Sequence, residues 1–466
     1  MYYGNDKNEK ILIIGGNVSG LTAASQARRN SPEAEISVLE SGSYISYGTC
    51  ALPYFLSGLI KNIDELFTYT PEFFEKERNI RILLNHKVIE LNPQKRELLV
   101  QTINSSEPSV FYYDKLVICS GGTPNDLGLQ IPKSKNAFFF RPVDNALSLK
   151  DFIDKNSPKK AAVIGGGSIG LLVAESLSKL GINVSIIEKS DNTLNDYENE
   201  ISGILQKVIS TTGIDLKLKS ELVSAAPDDN GLIKSISINC DGSLESFETD
   251  LIILCAGIKA NTGFCSQTSI ELGKNNAIRT SPKLQTAYSN IYASGDCVCV
   301  KNIITGKYDY IPTANNAAKT GRIAGENITG GNETFPGSVG TRVDKVFGLE
   351  IARTGISIAE ALDLQYNAFK VTESYNSHAK ALPGVEQITL TVIIDFNSQK
   401  ILGAQMIGKE GVAKRIDIFA SAITAQMTID QVYMLDLSYS PGTSTVWDPV
   451  NKICGKAKLV LSKKRF

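Results

Sequence analysis

A glycine-rich turn occurs twice in this chain, each time between a short apolar run and a stretch with helical periodicity, and it restricts the fold more than any other feature. Near the start, "ILIIG" leads into Gly15-Gly16-Asn17-Val18-Ser19-Gly20, then "LTAASQARR" and "EISVLE". Residues 159–189, "KKAAVIGGGSIGLLVAESLSKLGINVSIIEK", repeat that order, with Gly165, Gly167 and Gly170 in full G-x-G-x-x-G spacing. Both read as βαβ units. In such a unit the first glycine permits the tight turn and the second lets backbone approach a pyrophosphate, whose charge the helix N-terminus stabilises. An acid about 20 residues on accepts ribose hydroxyls, a place held by Glu40 and by Glu188. One such turn is often an ordinary strand–turn–helix, but two with correctly placed acids predict two nucleotide-binding folds. The first unit departs from the pattern, because Asn17 stands where the second glycine belongs and brings a side chain close to the phosphates.

Each unit is followed by a buried-strand run that closes on glycine, "DKLVICSGG" at 114–122 and "DLIILCAGI" at 250–258, and "NIYASGDC" at 290–297 ends a further strand on Gly295-Asp296. Beyond about residue 335 alternating strands such as "ITLTVIID" and the helix-like "AKRIDIFASAITAQMTI" read as a separate α+β domain. A length of 466 residues accommodates roughly three domains. Net charge is −1 and long basic runs are absent, which gives no footprint for nucleic acid or membrane lipid and points to small molecules and other subunits as partners. No uncharged apolar run approaches the roughly 18 to 20 residues that spanning needs, and the polar N-terminus lacks the features of a signal peptide. Eight cysteines in such a chain suggest a reducing cytoplasm. The two histidines, His86 and His378, cluster with no other ligands, so no metal site is expected. The basic end "KLVLSKKRF" is expected to be a frayed, solvated tail.

In "ISYGTCALPYF", residues 45–55, Cys50 stands alone at what reads as a helix start, with Pro53 suited to the first turn. Unpaired N–H groups there are expected to lower the thiol pKa. A small buried hydrophobe is the alternative for any single cysteine.

The order of the first βαβ unit, "SYGTCALPY", the second βαβ unit, "YASGDC", "GRIAGENI" and "SHAKALPG…GKEGVAKRID…YSPGTSTVWDPVN" resembles the single-cysteine group of pyridine nucleotide-disulfide oxidoreductases. Coenzyme A-disulfide reductases and NADH-dependent persulfide reductases are the nearest in pattern. The resemblance implies an α/β fold with two Rossmann-like dinucleotide-binding domains, for FAD (1–122 and 258–334) and NAD(P)H (123–257), and a C-terminal α+β dimerisation domain (335–466). The cofactor residues it implies are Gly15, Gly16, Asn17, Gly20, Glu40, Ser46, Gly165, Gly167, Gly170, Glu188, Gly257, Gly295 and Asp296. Cys50 matches the cysteine that takes electrons from the flavin, and Tyr439 a tyrosine that reaches the partner subunit's active site in a homodimer. Gln26, Arg28 and Arg29 resemble a segment that holds coenzyme A phosphates. Glu188 favours NADH by repelling a 2′-phosphate, with NADPH the alternative because Lys189 follows.

Glutathione reductase-like enzymes pair two cysteines in Cys-x4-Cys, but Ile45 and Phe55 occupy both such positions around Cys50. Cys50 must therefore pair with a substrate thiol or be oxidised to a sulfenic acid. Cys297 and Cys299 are not expected to form a second redox pair, and Cys119, Cys240, Cys255, Cys265 and Cys454 read as buried or incidental. In the stretch where these reductases carry a tyrosine pair, this chain has Ala381 and Leu382; where they often carry a glutamate after the second glycine motif it has Leu172. No sulfur-transfer domain is expected after the dimerisation domain. The leading expectation is reduction of a low-molecular-weight disulfide, persulfide or polysulfide, coenzyme A species among them. The alternatives are an NADH oxidase or peroxidase working through a Cys50 sulfenate, although Asn17-Val18-Ser19 lacks the histidine of many such enzymes, and a slow-turnover redox-responsive flavoprotein.

Overall fold

Short runs of isoleucine, leucine and valine that are buried on both faces favour parallel sheet, and two such sheets form. The computed structural model describes residues 8–103, 105–125 and 134–464. In the first sheet β1 (Lys10–Ile14) lies between β2 (Glu35–Leu39) and the strand Lys115–Ile118, flanked by Arg81–Leu83 and Ile291–Ala293, all parallel. The last of these joins although the whole second unit intervenes in sequence. Helix α1 (Val18–Asn30) crosses over this sheet and meets the helix Ala314–Ile328 at very short range. A Cβ on Gly321 would lie 2.4 Å from the Ser19 carbonyl oxygen, and one on Gly325 2.4 Å from that of Ala23. The small residues of "GRIAGENI" thus set the helix separation.

The second parallel sheet runs Asp215–Lys217, Asn183–Ile187, Lys160–Ile164, Leu251–Leu254, Ala137–Phe139. A two-stranded antiparallel ribbon, Gly122–Pro124 with Ile258–Ala260, carries the chain between the two units. Gly257 turns into it at φ +82°. The C-terminal part is a five-stranded antiparallel sheet whose strand Ile401–Gly408 is buried throughout, backed by the helices Val412–Thr424 and Pro449–Lys464. That last helix corrects the expectation of a frayed tail. It continues to Lys464 because Leu461 still packs into the C-terminal core; Arg465 and Phe466, like the N-terminus through Lys7, lie outside the described residues. Among the described residues no helix is long and apolar enough to cross a membrane.

Candidate active site

The two glycine motifs have nearly identical backbones. Gly15 and Gly165 each take φ +111°, and a Cβ on either would collide with a carbonyl oxygen, that of Cys119 at 2.2 Å and that of Cys255 at 2.6 Å. A Cβ on Gly20 or on Gly170 would stand 1.9 Å from the carbonyl oxygen of Gly15 or of Gly165, so strand and helix close to a distance only glycine permits. The acids are in matching places. Glu40 accepts from the Gly16 N–H and Glu188 from the Gly166 N–H, both at 2.6 Å, and their second oxygens accept from Gly42 (2.7 Å) and Ser190 (2.8 Å). Neither following helix has a capping side chain or an acidic residue of its own in its first turn, although at the second the Asp344 carboxylate accepts from the Ser168 hydroxyl at 2.6 Å. A Cβ on Gly167 would meet nothing within 4 Å. The glycine turn ahead of an uncapped helix start fits a pyrophosphate in both units, with open space at Gly167 in the second.

Asn17 has a different use. Its side-chain oxygen accepts from the Tyr47 N–H at 3.1 Å, and Ser46, at φ +56°, donates its own N–H to the Gly16 carbonyl at 3.1 Å. The first glycine motif thereby holds the loop that carries Cys50. Cys50 lies in the 3-10 turn Thr49–Ala51, which runs into the short helix α2 (Leu52–Leu56) with Pro53 in its first turn. The chain turns α2 against the helix of the second motif, where the Ser176 hydroxyl meets the Pro53 carbonyl at 2.8 Å and Leu172 packs in one buried cluster with Leu52, Phe55 and Leu56. Leu172 is therefore apolar packing beneath the cysteine loop.

Cys50 is exposed, but its pKa is raised, in contrast to the sequence-based expectation. Desolvation by the surrounding protein is the largest cause, followed by the charge of Asp344; Arg141 opposes them and Asp296 adds to them. A 3-residue turn before a 5-residue helix has too small a macrodipole to outweigh these effects. All eight cysteines are free. Cys297 and Cys299 are buried in separate clusters; Cys119, Cys265 and Cys454 are buried, and Cys240 and Cys255 half-buried.

Gly295, at φ +80°, donates its N–H to the Thr320 hydroxyl, and a Cβ there would press on Ser19 at 2.7 Å. The half-buried Asp296 that follows pairs with Arg141 at 2.8 Å, and the Arg141 Nε donates to the Gly122 carbonyl at 2.9 Å. Next to this pair the Tyr310 hydroxyl is buried without a partner, its pKa raised by desolvation and by Asp296. An orphaned phenol beside a carboxylate and a guanidinium fits a polar ligand in this crevice. Sequence reasoning missed Arg141 and Tyr310; "FFFRP" and "DYIPT" offer neither periodicity nor spacing to single them out.

The two C-terminal stretches meet. The Ala379 N–H donates to the Pro441 carbonyl at 3.0 Å, and the buried Arg415 ties both by hydrogen bonds to the Ser377 and Thr443 carbonyls and an ion pair with Asp448 at 2.9 Å. Tyr439 (48% exposed), Leu382 (40%), Val446 (71%) and Trp447 (46%) lie on the surface of the single chain. Of the residues expected at coenzyme A phosphates, Arg28 donates four hydrogen bonds to the carbonyls of Arg78, Ser31, Pro32 and Asn79. Buried Gln26 donates to Asn30 and Glu326. Both are engaged in tying this chain to itself; Arg29, with one bond to Gln26, is exposed. Among the described residues no group of three or more His, Cys, Asp or Glu is placed to hold a metal.

The family described as pyridine nucleotide-disulphide oxidoreductase matches residues 9–321, and its dimerisation domain matches residues 344–449. The chain belongs to this family, whose members work with FAD and NAD(P)H. Over 448 residues it is 31% identical to the NAD(P)H coenzyme A polysulfide/persulfide reductase of Pyrococcus horikoshii, covering 96% of this chain and 98% of that one. It is 31% identical to a coenzyme A disulfide reductase of Staphylococcus aureus, over 96% of this chain and all of that one. The solved NAD-dependent persulfide reductase of A. fulgidus superimposes with a TM-score of 0.92 at 31% identity, over 97% of this chain and 84% of that one.

Proposed function

We propose that the chain works as a homodimer that reduces persulfides or polysulfides of low molecular weight, coenzyme A persulfide among them, in preference to coenzyme A disulfide. The observation that carries this reading is the exposed, unpaired Cys50 on a loop joined to both glycine motifs, through Asn17 and Ser46 to the first and through α2 to the second. The first motif, Glu40, Ser46, Gly257, Gly295 and Asp296, with Arg141 and Tyr310, would hold FAD, and the second motif with Glu188 would hold NADH, or NADPH less tightly. Bound FAD supplies the two-electron step between NAD(P)H and sulfur. The chain's own task is at Cys50, whose thiolate attacks the substrate's sulfur–sulfur bond and forms a mixed disulfide while the departing sulfur takes a proton. For a persulfide the balance is RSSH + NAD(P)H + H⁺ → RSH + H₂S + NAD(P)⁺. The Tyr439 phenol, exposed on the single chain and turned to a partner's site in the dimer, would supply that proton. Arg29 is the residue free to meet a phosphate of coenzyme A.

Ala381 and Leu382 leave the pocket with one phenol and a more apolar wall. A general acid typically contributes about 10²- to 10⁴-fold, and a persulfide depends on it less because its leaving sulfur is the more acidic. NADH oxidation measured on one preparation with each substrate tests this. The expected result is a higher rate with persulfide or polysulfide than with coenzyme A disulfide, and a loss of about 10²-fold or more in Tyr439→Phe. A clear preference for coenzyme A disulfide, or an unaffected Tyr439→Phe, contradicts it.

A further inference from the structure

The loop that follows the second βαβ unit repeats a detail of the cysteine loop. Ser46, at φ +56°, donates its N–H to the Gly16 carbonyl; at the same offset from its own acid, Leu194 takes φ +52° and donates its N–H to the Gly166 carbonyl at 3.1 Å. A leucine is disfavoured in this left-handed region because its Cβ crowds the backbone, so contacts from elsewhere must hold Leu194 there. Its side chain belongs to the buried cluster that also contains Ile351 and Ile407 of the C-terminal sheet. The residues just after it are taken up by that domain. The Asp196 carboxylate pairs with Arg342, and with Arg353 at 2.9 Å, from the strands Arg342–Val346 and Leu349–Gly355. The Glu198 N–H donates to the Gln405 side-chain oxygen at 2.6 Å, and the buried Glu198 carboxylate accepts from the Ile358 N–H and pairs with Lys370, both at 2.9 Å. The hydroxyls of Thr193, Tyr197 and Ser202 are buried without a hydrogen-bond partner, so they add nothing to this anchorage.

We propose that Asp196 is a positioning residue of the nicotinamide-nucleotide site, the latch by which the C-terminal domain fixes the loop 189–198 against the second glycine motif. This rests on the reading of that motif as the NAD(P)H site, and it goes further by naming a contact between domains that sets the shape of the site. The path of bonds is continuous. Asp196 is held by two arginines, and Leu194, in the same turn of chain, bonds the Gly166 carbonyl. The Gly166 N–H bonds one oxygen of Glu188 at 2.6 Å, and the Ser190 N–H, at the start of the loop, bonds the other at 2.8 Å. The loop thus meets both the carboxylate proposed for the ribose and the glycine proposed for the pyrophosphate. On the other side the clamp is built for a carboxylate. Arg342 and Arg353 stand directly opposite each other on an antiparallel strand pair, where like charges destabilise the sheet. Glu360 reaches Arg353 at 3.3 Å; Asp196 bridges both, and the two guanidinium groups also lie over the Tyr197 ring, 5.5 and 5.9 Å from its centre. A loop freed of this clamp can let Leu194 leave its strained conformation and release the Gly166 carbonyl, and a nucleotide must then re-form that arrangement as it binds.

The consequence falls on affinity and spares the chemical step. Apparent affinity drops in proportion to the fraction of molecules whose loop is in place, while a nucleotide already bound reduces the flavin as before. The test is anaerobic stopped-flow bleaching of the flavin-loaded protein over a range of NADH concentrations, which separates the half-saturating concentration from the limiting rate. Asp196→Asn should raise the half-saturating concentration about three- to tenfold and leave the limiting rate near that of the parent. Asp196→Glu, which keeps the charge, should recover most of the affinity. Arg342→Gln, which leaves Arg353 to hold Asp196, should shift the half-saturating concentration in the same direction by a smaller factor, and it covers the case in which Asp196→Asn does not fold. A half-saturating concentration equal to the parent's in whichever variant folds, even with a lower melting temperature, means that Asp196 merely joins the domains and overturns the proposal. A lower limiting rate at unchanged half-saturation overturns it as well. Failure of the parent's own flavin to be bleached by NADH would contradict the functional reading and this inference with it, whereas a bleached parent with unaffected variants contradicts this inference alone.

Discussion

The two glycine-rich units have the same backbone and differ in the third residue of the turn. In the second unit Gly167 leaves open space before its helix, while in the first Asn17 extends a side chain that accepts the Tyr47 N–H. Through Asn17 the first motif fixes the loop that ends in Cys50 as well as offering the phosphate cradle proposed for it. The second holds its following loop only through the Gly166 carbonyl, which accepts the Leu194 N–H at 3.1 Å, and leaves open space at Gly167. A sequence motif read only for its glycines treats Asn17 as a flaw; the structure gives it a partner.

The largest effects should come from the positions where the units are alike. Alanine at Gly20 or at Gly170 puts a methyl group 1.9 Å from a carbonyl oxygen, a backbone collision that costs more than about 3 kcal/mol. Gly20→Ala should emerge without its yellow colour, and Gly170→Ala should keep its flavin but no longer be bleached by NADH in an anaerobic titration. Loss of the same property in both variants would erase the division of labour. A smaller effect is expected at the matching acids. Glu188→Ala removes charge-assisted hydrogen bonds of about 1.5 to 3 kcal/mol, so the KM for NADH should rise about tenfold or more while that for NADPH changes less. Equal changes for both cofactors would end the argument that Glu188 selects between them. The smallest effect is expected where the units differ. Asn17→Gly, which makes the first turn resemble the second, removes one hydrogen bond and should cost about 0.5 to 1.5 kcal/mol in thermal or denaturant unfolding, with flavin retained. Complete loss of flavin would mean that Asn17 is chiefly a cofactor ligand.

The fold class was legible because both parallel sheets rest on short apolar runs between glycine turns, as at Lys10–Ile14 and Lys160–Ile164. The alternating C-terminal strands were legible by their period of two. Motif glycines could be read because each marks a local backbone demand, a positive φ or a missing Cβ. Arg141, Tyr310, Ser168 and Asp344 could not. Their importance comes from segments that only the tertiary fold brings together, and no spacing in sequence encodes the 2.6 Å contact of Ser168 with Asp344. The direction of the Cys50 pKa was misread for the same reason, since helix position is local while desolvation and the charge of Asp344 are not. Arg28, in a segment that resembles a phosphate site, engages its guanidinium with four carbonyls of its own chain, a tertiary contact that the sequence does not encode.

Cys50 is the thiol through which we propose that electrons leave the protein. Its most direct test is Cys50→Ser in two steady-state assays on one flavin-loaded preparation, NADH with an artificial dye and NADH with a persulfide. Dye reduction is expected to continue near the parent rate, because the flavin still accepts electrons when the thiol is gone, and persulfide reduction is expected to fall to that of the enzyme-free blank. Sustained persulfide turnover by Cys50→Ser would contradict the account.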